Sequence, residues 1–437
     1  MRPTLACLAA CMIPFLGTSP ATGQPHIDGT LRSYQGVRHK PVDRWLVNRS
    51  NLDLQLTHPG RVRVHADASL DYDAVGGHAL VRIRDFYGDV RYGSVDLRFG
   101  RFGHSFGRAD GLLLADIFHT YDLSEFLTRD PEDLRTGIDG IRVGAFAGPH
   151  AVKVLVSPFR SRSRGPRADW SVVPDFVSFI PVIDASDPDR PIALGPVNAA
   201  VQFEWRPRLD LDVDLLIARW HHPLPAYKKS VTLLDTPGAP FGTIPTEVRI
   251  RETAITGFKA AISAEYRITP IVAVTSEMVC NATHAVDILP DAGTSVEPLR
   301  AENANGFLRT VPQFSGLIGT KTIWGGVSLS TQGFIEHRLR EPDDALGKRT
   351  IAGLTTTAWR RFHYDDVLIR VFGRYQGKPG SWWLQPEGAY RVTDRFQIRA
   401  GAHWFGGDPT EDAGDPTFTF DRYRQNRFIY GKFRFSW

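Results

Sequence analysis

The feature that most constrains this chain is a two-residue alternation, repeated in segments about as long as a tilted membrane strand. In residues 62–72, Val62, Val64, Ala66, Ala68, Leu70 and Tyr72 share one face, and Arg63, His65, Asp67, Ser69 and Asp71 share the other. Residues 209–215 repeat it, with Leu209, Leu211, Val213 and Leu215 set against Asp210, Asp212 and Asp214. A period of two puts alternate side chains on opposite faces of a β-strand. The same reading applies to 29–38, 79–91, 95–103, 138–147, 151–158, 197–206, 251–267, 270–280, 313–322, 326–336, 350–362, 366–376, 382–392, 395–405 and 424–437. One further strand is expected ahead of His58-Pro59-Gly60. Helical patterning is confined to a short stretch at 123–129.

The connections alternate as well. Short turns rich in Gly, Pro and Asp fall at His58-Pro59-Gly60, Tyr92-Gly93-Ser94, Gly148-Pro149-His150, Arg206-Pro207-Arg208, Thr269-Pro270, Ile323-Trp324-Gly325, His363-Tyr364-Asp365 and Thr393-Asp394. Between them lie long connections at about 104–137, 159–196, 221–250 and 281–312. Long loops on one side and short turns on the other are the arrangement of an outer-membrane barrel. Placing every short turn on the periplasmic side demands an even count. The expected fold is therefore an all-β, transmembrane antiparallel barrel of about 18 strands, with 16 as the alternative.

Composition fits once the fold is in view. Hydrophobic residues make up 42% of the chain and mean hydropathy is −0.22, values that resemble a soluble protein because only alternate strand residues face lipid. Beyond the N-terminus there is no run of 18 apolar residues, which excludes a helical membrane protein. The 52 basic and 48 acidic residues are too evenly balanced for a nucleic-acid surface. Cys7, Cys11 and Cys280 offer neither a disulfide framework nor a Cys-rich metal site, and no CxxCH occurs. At the N-terminus, Arg2, the mostly apolar stretch 5–16 and the small residues Ala21-Thr22-Gly23 read as a signal peptide over 1–23, cut before Gln24. Leu8-Ala9-Ala10-Cys11 also has the form of a lipoprotein box. The barrel is then expected over 24–437.

Two segments carry more specific information. The chain ends in YGKFRFSW, where Phe433, Phe435 and Trp437 alternate with Arg434 and Ser436. That terminal aromatic strand resembles the signal read by the barrel assembly machinery. Residues 96–164 contain Leu97-Arg98-Phe99-Gly100-Arg101, Gly107-Arg108-Ala109-Asp110-Gly111, Asp116, Asp122-Leu123, Glu132-Asp133-Leu134-Arg135 and Val156-Ser157-Pro158-Phe159. This succession resembles a group of Gram-negative, porin-like outer-membrane barrels similar in style to the alginate-export porins. Phe102, Phe106 and Thr120-Tyr121 depart from the group's pattern. The resemblance implies an outer-membrane location and transport, and names no substrate.

The charges give a candidate mechanism. Arg63, Arg82, Arg84, Arg98, Arg142, Arg370, Arg374, Arg399 and Arg434 fall on polar strand faces, as do Asp67, Asp71, Asp96, Asp210, Asp212 and Asp214. Of these, Arg63, Arg82, Arg84, Arg98, Arg370, Arg399 and Arg434 are pore-lining candidates, with Asp110 and Asp116 of the long connection beside them. The segment 104–137 adds Asp110, Asp116, Asp122, Glu125, Asp130, Glu132 and Asp133, with Arg108, Arg129 and Arg135. It also keeps Leu112, Leu113, Leu114, Ile117 and Phe118 together, a cluster that favours burial in the lumen over exposure. Asp110 and Asp116 are then expected to face the channel, opposite Arg98. The other reading leaves these charges solvating a surface loop.

His221-His222 cannot readily share a metal on a strand, and no HExxH, GxSxG or P-loop occurs, so neither a metal, a cofactor nor a catalytic set is expected. The Arg160, Arg162 and Arg164 run reads as a solvated loop or as a contact for lipopolysaccharide phosphates. The functional expectation is a non-enzymatic pore passing small solutes, with outer-membrane lipid and lipopolysaccharide as surroundings. A scaffold barrel serving a periplasmic partner is the first alternative and an outer-membrane enzyme the second.

Overall fold

The structure, a computed structural model, describes residues 24–39, 44–109, 114–160, 163–165, 167, 170, 182–184, 193–222, 226–235, 243–253, 255–288, 308–343, 345–377, 380–408 and 419–437. The expected signal peptide at 1–23 lies outside them.

Eighteen strands pair in one sheet that closes on itself. In chain order they are β1 (His26–Arg38), β2 (Trp45–His58), β3 (Val62–Asp73), β4 (His78–Tyr92), β5 (Val95–Phe102) and β6 (Ile138–Ala147). Then come β7 (His150–Arg160), β8 (Ala193–Arg208), β9 (Leu211–His221), β10 (Thr256–Thr269), β11 (Val272–Asp287) and β12 (Leu308–Trp324). The last are β13 (Val327–Arg338), β14 (Thr350–Phe362), β15 (Val367–Gly377), β16 (Ser381–Arg391), β17 (Phe396–Gly407) and β18 (Phe428–Ser436). Each strand pairs antiparallel with the next, and β18 pairs antiparallel with β1, from Thr30↔Ser436 to Arg38↔Phe428. The count is 18 rather than the alternative 16.

Alternation sorts the side chains as expected of a barrel. Val81, Leu97, Ile141, Val143, Val154, Val201, Ile217, Ile318, Ile369 and Ile429 are exposed on the outer face. Outward aromatics gather near the two ends of the strands. Tyr92, Trp205, Tyr266, Trp324, Phe362, Tyr390 and Trp437 lie by the short turns at one end, and Trp45, Tyr72, Phe258 and Tyr375 lie at the opposite end. Such girdles anchor a barrel at the two interfaces of a bilayer. Inward faces are polar, as on β3, where Asp67, Ser69, Asp71 and Asp73 are buried.

Several expected boundaries shift. Residues 251–267 do not form one strand. Thr243–Thr253 belongs to a hairpin with Ala226–Asp235, flanked in parallel by Val182–Asp184, and β10 begins only at Thr256. The connection near 221–250 therefore carries a small sheet of its own. Residues 123–129 form turns, with Phe126 at φ 56°, and the short helix lies instead at Pro131–Leu134, where Pro131 opens it. Phe420–Asn426 is a 3₁₀ helix, so β18 starts at Phe428.

Closure depends on the last residues. Trp437 donates its N–H to Gly29 at 3.0 Å, and Gly29 returns the bond to the Trp437 carbonyl at 3.2 Å. A Cβ on Gly29 would collide with the Trp437 indole, so glycine admits the ring to the seam. Phe433 and Phe435 stand outward beside it. Deleting Trp437 removes both backbone bonds, and Phe435→Asp puts a carboxylate against hydrocarbon. Either change is expected to lower the yield of folded, heat-modifiable barrel in outer-membrane fractions. Wild-type yield in both variants would contradict this account of closure.

Candidate functional site

The segment between β5 and β6 turns into the barrel and crosses it. Its entry is apolar. Phe102, Phe106, Ala115, Ile117 and Phe118 pack with Leu155, Ala200, Leu216, Ala218 and Trp220 of β7–β9. Phe118 meets Trp220 edge-on at 5.0 Å between ring centroids. His104 donates through Nε2 to Gln202 Oε1 at 2.8 Å, and burial pushes its pKa down to about 3, so the ring is neutral at physiological pH. Ala109 and Leu114 pack near Leu317 and Phe334 of β12 and β13. Burial of this cluster offsets the entropy of ordering the segment.

The far half is held by charge. Asp133 lies among three wall arginines: Arg32 at 2.8 Å, Arg84 at 3.3 Å and Arg49 at 3.4 Å. Arg49 also meets Glu125 at 3.0 Å, and Arg32 meets Glu132 at 2.7 Å. Asp122 is gripped by Arg82 at 2.7 Å and Arg129 at 3.5 Å, and Asp130 by Lys432 at 2.8 Å. Burial alone would raise the Asp133 pKa, but Arg49, Arg32 and Arg84 hold it well below the usual carboxylate range. Asp122 is lowered against burial by Arg129 and Arg82, and Asp130 by Lys432. Asp122 and Asp133 are each neutralised by more than one partner, the condition under which a buried ion pair is tolerated.

Aromatic rings close over this half. Phe126 stacks on Tyr423 at 4.1 Å and lies 6.3 Å from Trp170, with Phe405 and Phe428 in the same cluster. Arg167 bonds the Leu46 carbonyl at 2.9 Å and pairs with Asp73. Thus parts of the connections after β7 and β17 pack onto the crossing loop.

The sequence candidates divide. Arg82 and Arg84 stand on the inward face and bind the loop. Arg98 pairs with Asp89 at 2.7 Å and covers the Tyr87 ring at 4.0 Å. Arg370 pairs with Glu387 at 3.2 Å. Arg399 bonds Gln397 at 3.0 Å. Arg63, Arg399 and Arg434 have no ion pair among the described residues. A recess of about 380 Å³ between loop and wall is lined by Arg32, Asp53, Arg84, Glu132, Arg395 and Arg434, among others.

Asp116 departs from the expectation. It is 4% exposed, bonded to His119 at 2.6 Å and Arg135 at 2.8 Å, so it braces the loop instead of facing a channel opposite Arg98. Burial would raise its pKa, but the His119 bond holds it low. Asp110, Leu112 and Leu113 lie outside the described residues, as does Arg162. Arg164 approaches Asp122 at 3.7 Å. Sequence reasoning did not single out Arg32, Arg49 or Lys432. Alternation marks Arg32 and Lys432 as inward, but nothing local shows that a loop a hundred residues from Arg32 needs them. Among the described residues, no group of three His, Cys, Asp or Glu is placed to hold a metal.

These features define an eighteen-stranded, membrane-type antiparallel barrel with an inward-folded loop. No protein-family model matches the chain, and no curated protein matches it. In three dimensions it is similar to OccK3 (OpdO) of Pseudomonas aeruginosa, with a TM-score of 0.54 at 9% identity over 97% of this chain and 98% of that one. OccAB2 of Acinetobacter baumannii gives 0.54 at 8% identity, over 95% and 98%. The outer membrane protein opdK from Pseudomonas aeruginosa gives 0.50 at 12%, also over 95% and 98%. At such identities the likeness establishes a shared barrel fold spanning nearly the whole of both chains.

Two outcomes are expected. Asp133→Ala strips Arg32, Arg49 and Arg84 of a common partner and should destabilise the barrel by about 3–5 kcal/mol in chemical unfolding, the usual cost of breaking a buried pair. The acid response has a defined sign. A carboxylate whose folded pKa is depressed contributes stability that is complete above its unfolded value, here near 3.8, and lost as pH falls through the folded one. The loop should therefore resist proteolysis equally at pH 7 and pH 5 and loosen only below about pH 4. Loosening between pH 7 and 5 would contradict these assignments.

Proposed function

We propose that this barrel lies in the outer membrane and passes small solutes through a charged lumen narrowed by the loop at 104–137. The observation that carries the reading is the closed ring of eighteen strands whose inner faces are charged and whose outer faces are apolar between aromatic girdles. Barrels of this width leave room for an aqueous channel. The fold shared with the outer membrane protein opdK supports the location. A leader at 1–23 and recognition of Phe433, Phe435 and Trp437 by the assembly machinery belong to the same proposal. The likeness of residues 96–164 to barrels in the style of the alginate-export porins supports transport and specifies no solute.

The lumen is electrically asymmetric. On β17 and β18, Arg399 and Arg434 have no ion pair among the described residues, while Glu204, Asp212, Asp214 and Glu265 cluster on β8–β10. A transverse field of this kind orients polar solutes as they pass. Asp110 and Arg63 remain pore-lining candidates within this proposal.

In a planar bilayer the purified protein is expected to give stable, ohmic steps. Removing residues 109–128 should enlarge the single-channel conductance while the barrel still assembles, and Arg399→Glu should move selectivity toward cations. Silence over many insertions of folded protein would transfer the argument to a scaffold barrel. Unchanged conductance after the deletion would place the narrowing elsewhere.

A further inference from the structure

The acidic side of the lumen holds an electrostatic conflict that the wall does not resolve alone. Glu204 stands directly opposite Asp214 in the β8–β9 register, and Asp212 directly opposite Glu265 in the β9–β10 register. Like charges at opposed positions repel. Glu204 is answered by Lys153 and by Arg206 at 4.0 Å. Asp212 is answered by Arg206 at 3.3 Å, and Glu265 by Lys321 at 3.5 Å and Arg267 at 3.7 Å. For Asp214 the ion pair among the described residues is Arg108, from the crossing loop, at 2.9 Å. The same guanidinium lies 4.0 Å from both Asp212 and Glu265.

Arg108 is positioned by contacts that involve no acidic partner of its side chain. Glu277 of β11 is 1% exposed and accepts the Arg108 backbone N–H at 2.8 Å. The preceding Gly107 has φ 99°, and a Cβ there would stand 2.5 Å from the Glu277 carboxylate oxygen. Glycine alone lets the chain turn this close to the wall. Phe106 is buried on one side and Ala109 packs on the other, so the backbone is fixed before and after the arginine.

We infer that Arg108 sets the ionic selectivity of the narrowing by neutralising this acidic wall, and that Gly107 and Glu277 are the residues that position it. The inference rests on the pore reading. With the guanidinium gone, the carboxylates of Asp214, Asp212 and Glu265 lose a shared counter-charge and the lumen there favours cations. Asp110 and Asp116 are not needed for this effect.

The test reads reversal potentials across a potassium chloride gradient. Arg108→Gln is expected to raise cation-over-anion permeability at least about twofold, because it removes one unit of positive charge from the channel lining. Glu277→Ala should shift it the same way with Arg108 intact, whereas Glu277→Gln, whose amide oxygen still accepts the N–H, should stay near wild type. Arg108→Gln combined with Asp214→Asn should return toward wild type. An unchanged potential in Arg108→Gln, or equal shifts in Glu277→Ala and Glu277→Gln, overturns the inference. A wild-type barrel without current overturns the pore reading and the selectivity claim with it. In that case the melting temperatures of the Arg108→Gln and Asp214→Asn cycle still decide whether Arg108 neutralises the wall: non-additive shifts support it and additive shifts refute it.

Discussion

Everything here depends on the requirement that backbone polar groups in hydrocarbon find partners within the protein. A flat sheet would leave two unpaired edges in the membrane. This chain removes them by pairing β18 with β1, so its N-terminal and C-terminal strands are neighbours although they are separated by some four hundred residues of sequence. Closure then fixes the rest. Alternate residues must face lipid or lumen, the strand number must be even when both termini lie at one end, and connections must alternate in position. The Gly29–Trp437 contact matters because it completes the last part of that seam.

Closing so wide a ring creates a second problem, which is a broad interior lined with charge. The loop between β5 and β6 deals with it in two ways. Toward β7–β11 it packs apolar side chains against the small and aromatic residues of the wall. Toward β1–β4 and β18 it inserts Asp122, Glu125, Asp130 and Asp133 among Arg32, Arg49, Arg82, Arg84 and Lys432. The two halves respond differently to conditions. Apolar packing is indifferent to pH, while the contacts of Asp122, Asp130 and Asp133 hold through the mildly acidic range because the facing cations depress their pKa values.

This division also explains why charge counting misleads in such a lumen. Most inward arginines are already satisfied, some by the wall, as in Arg98–Asp89, and some by the loop. On the proposed pore reading, the charges left to act on a solute are those without an ion pair among the described residues, such as Arg399 and Arg434, together with the acidic cluster beneath Arg108. The field of the lumen is a small residue of many cancelled pairs, so a single loop side chain can govern it.

The alternation in segments such as 62–72 and 209–215 was sufficient for the barrel, because period two is a local property that survives any tertiary context, while the strand number also needed the succession of short and long connections and stayed between 18 and 16. It also marked 104–137 as a segment needing burial, through Leu114, Ile117 and Phe118. It failed where the periodicity was not tied to the barrel: 251–267 blends a loop hairpin with β10, and the stretch 123–129 forms turns in which Phe126 takes a left-handed φ and stacks on Tyr423. It could not separate Asp116, which is spent on His119 and Arg135, from a carboxylate free to face a channel. Nor could it join Asp133 to Arg32, Arg49 and Arg84, or Arg108 to Asp214. Those pairings cross the lumen, and only the closed ring decides which side chains, remote in sequence, stand within a few ångströms of one another.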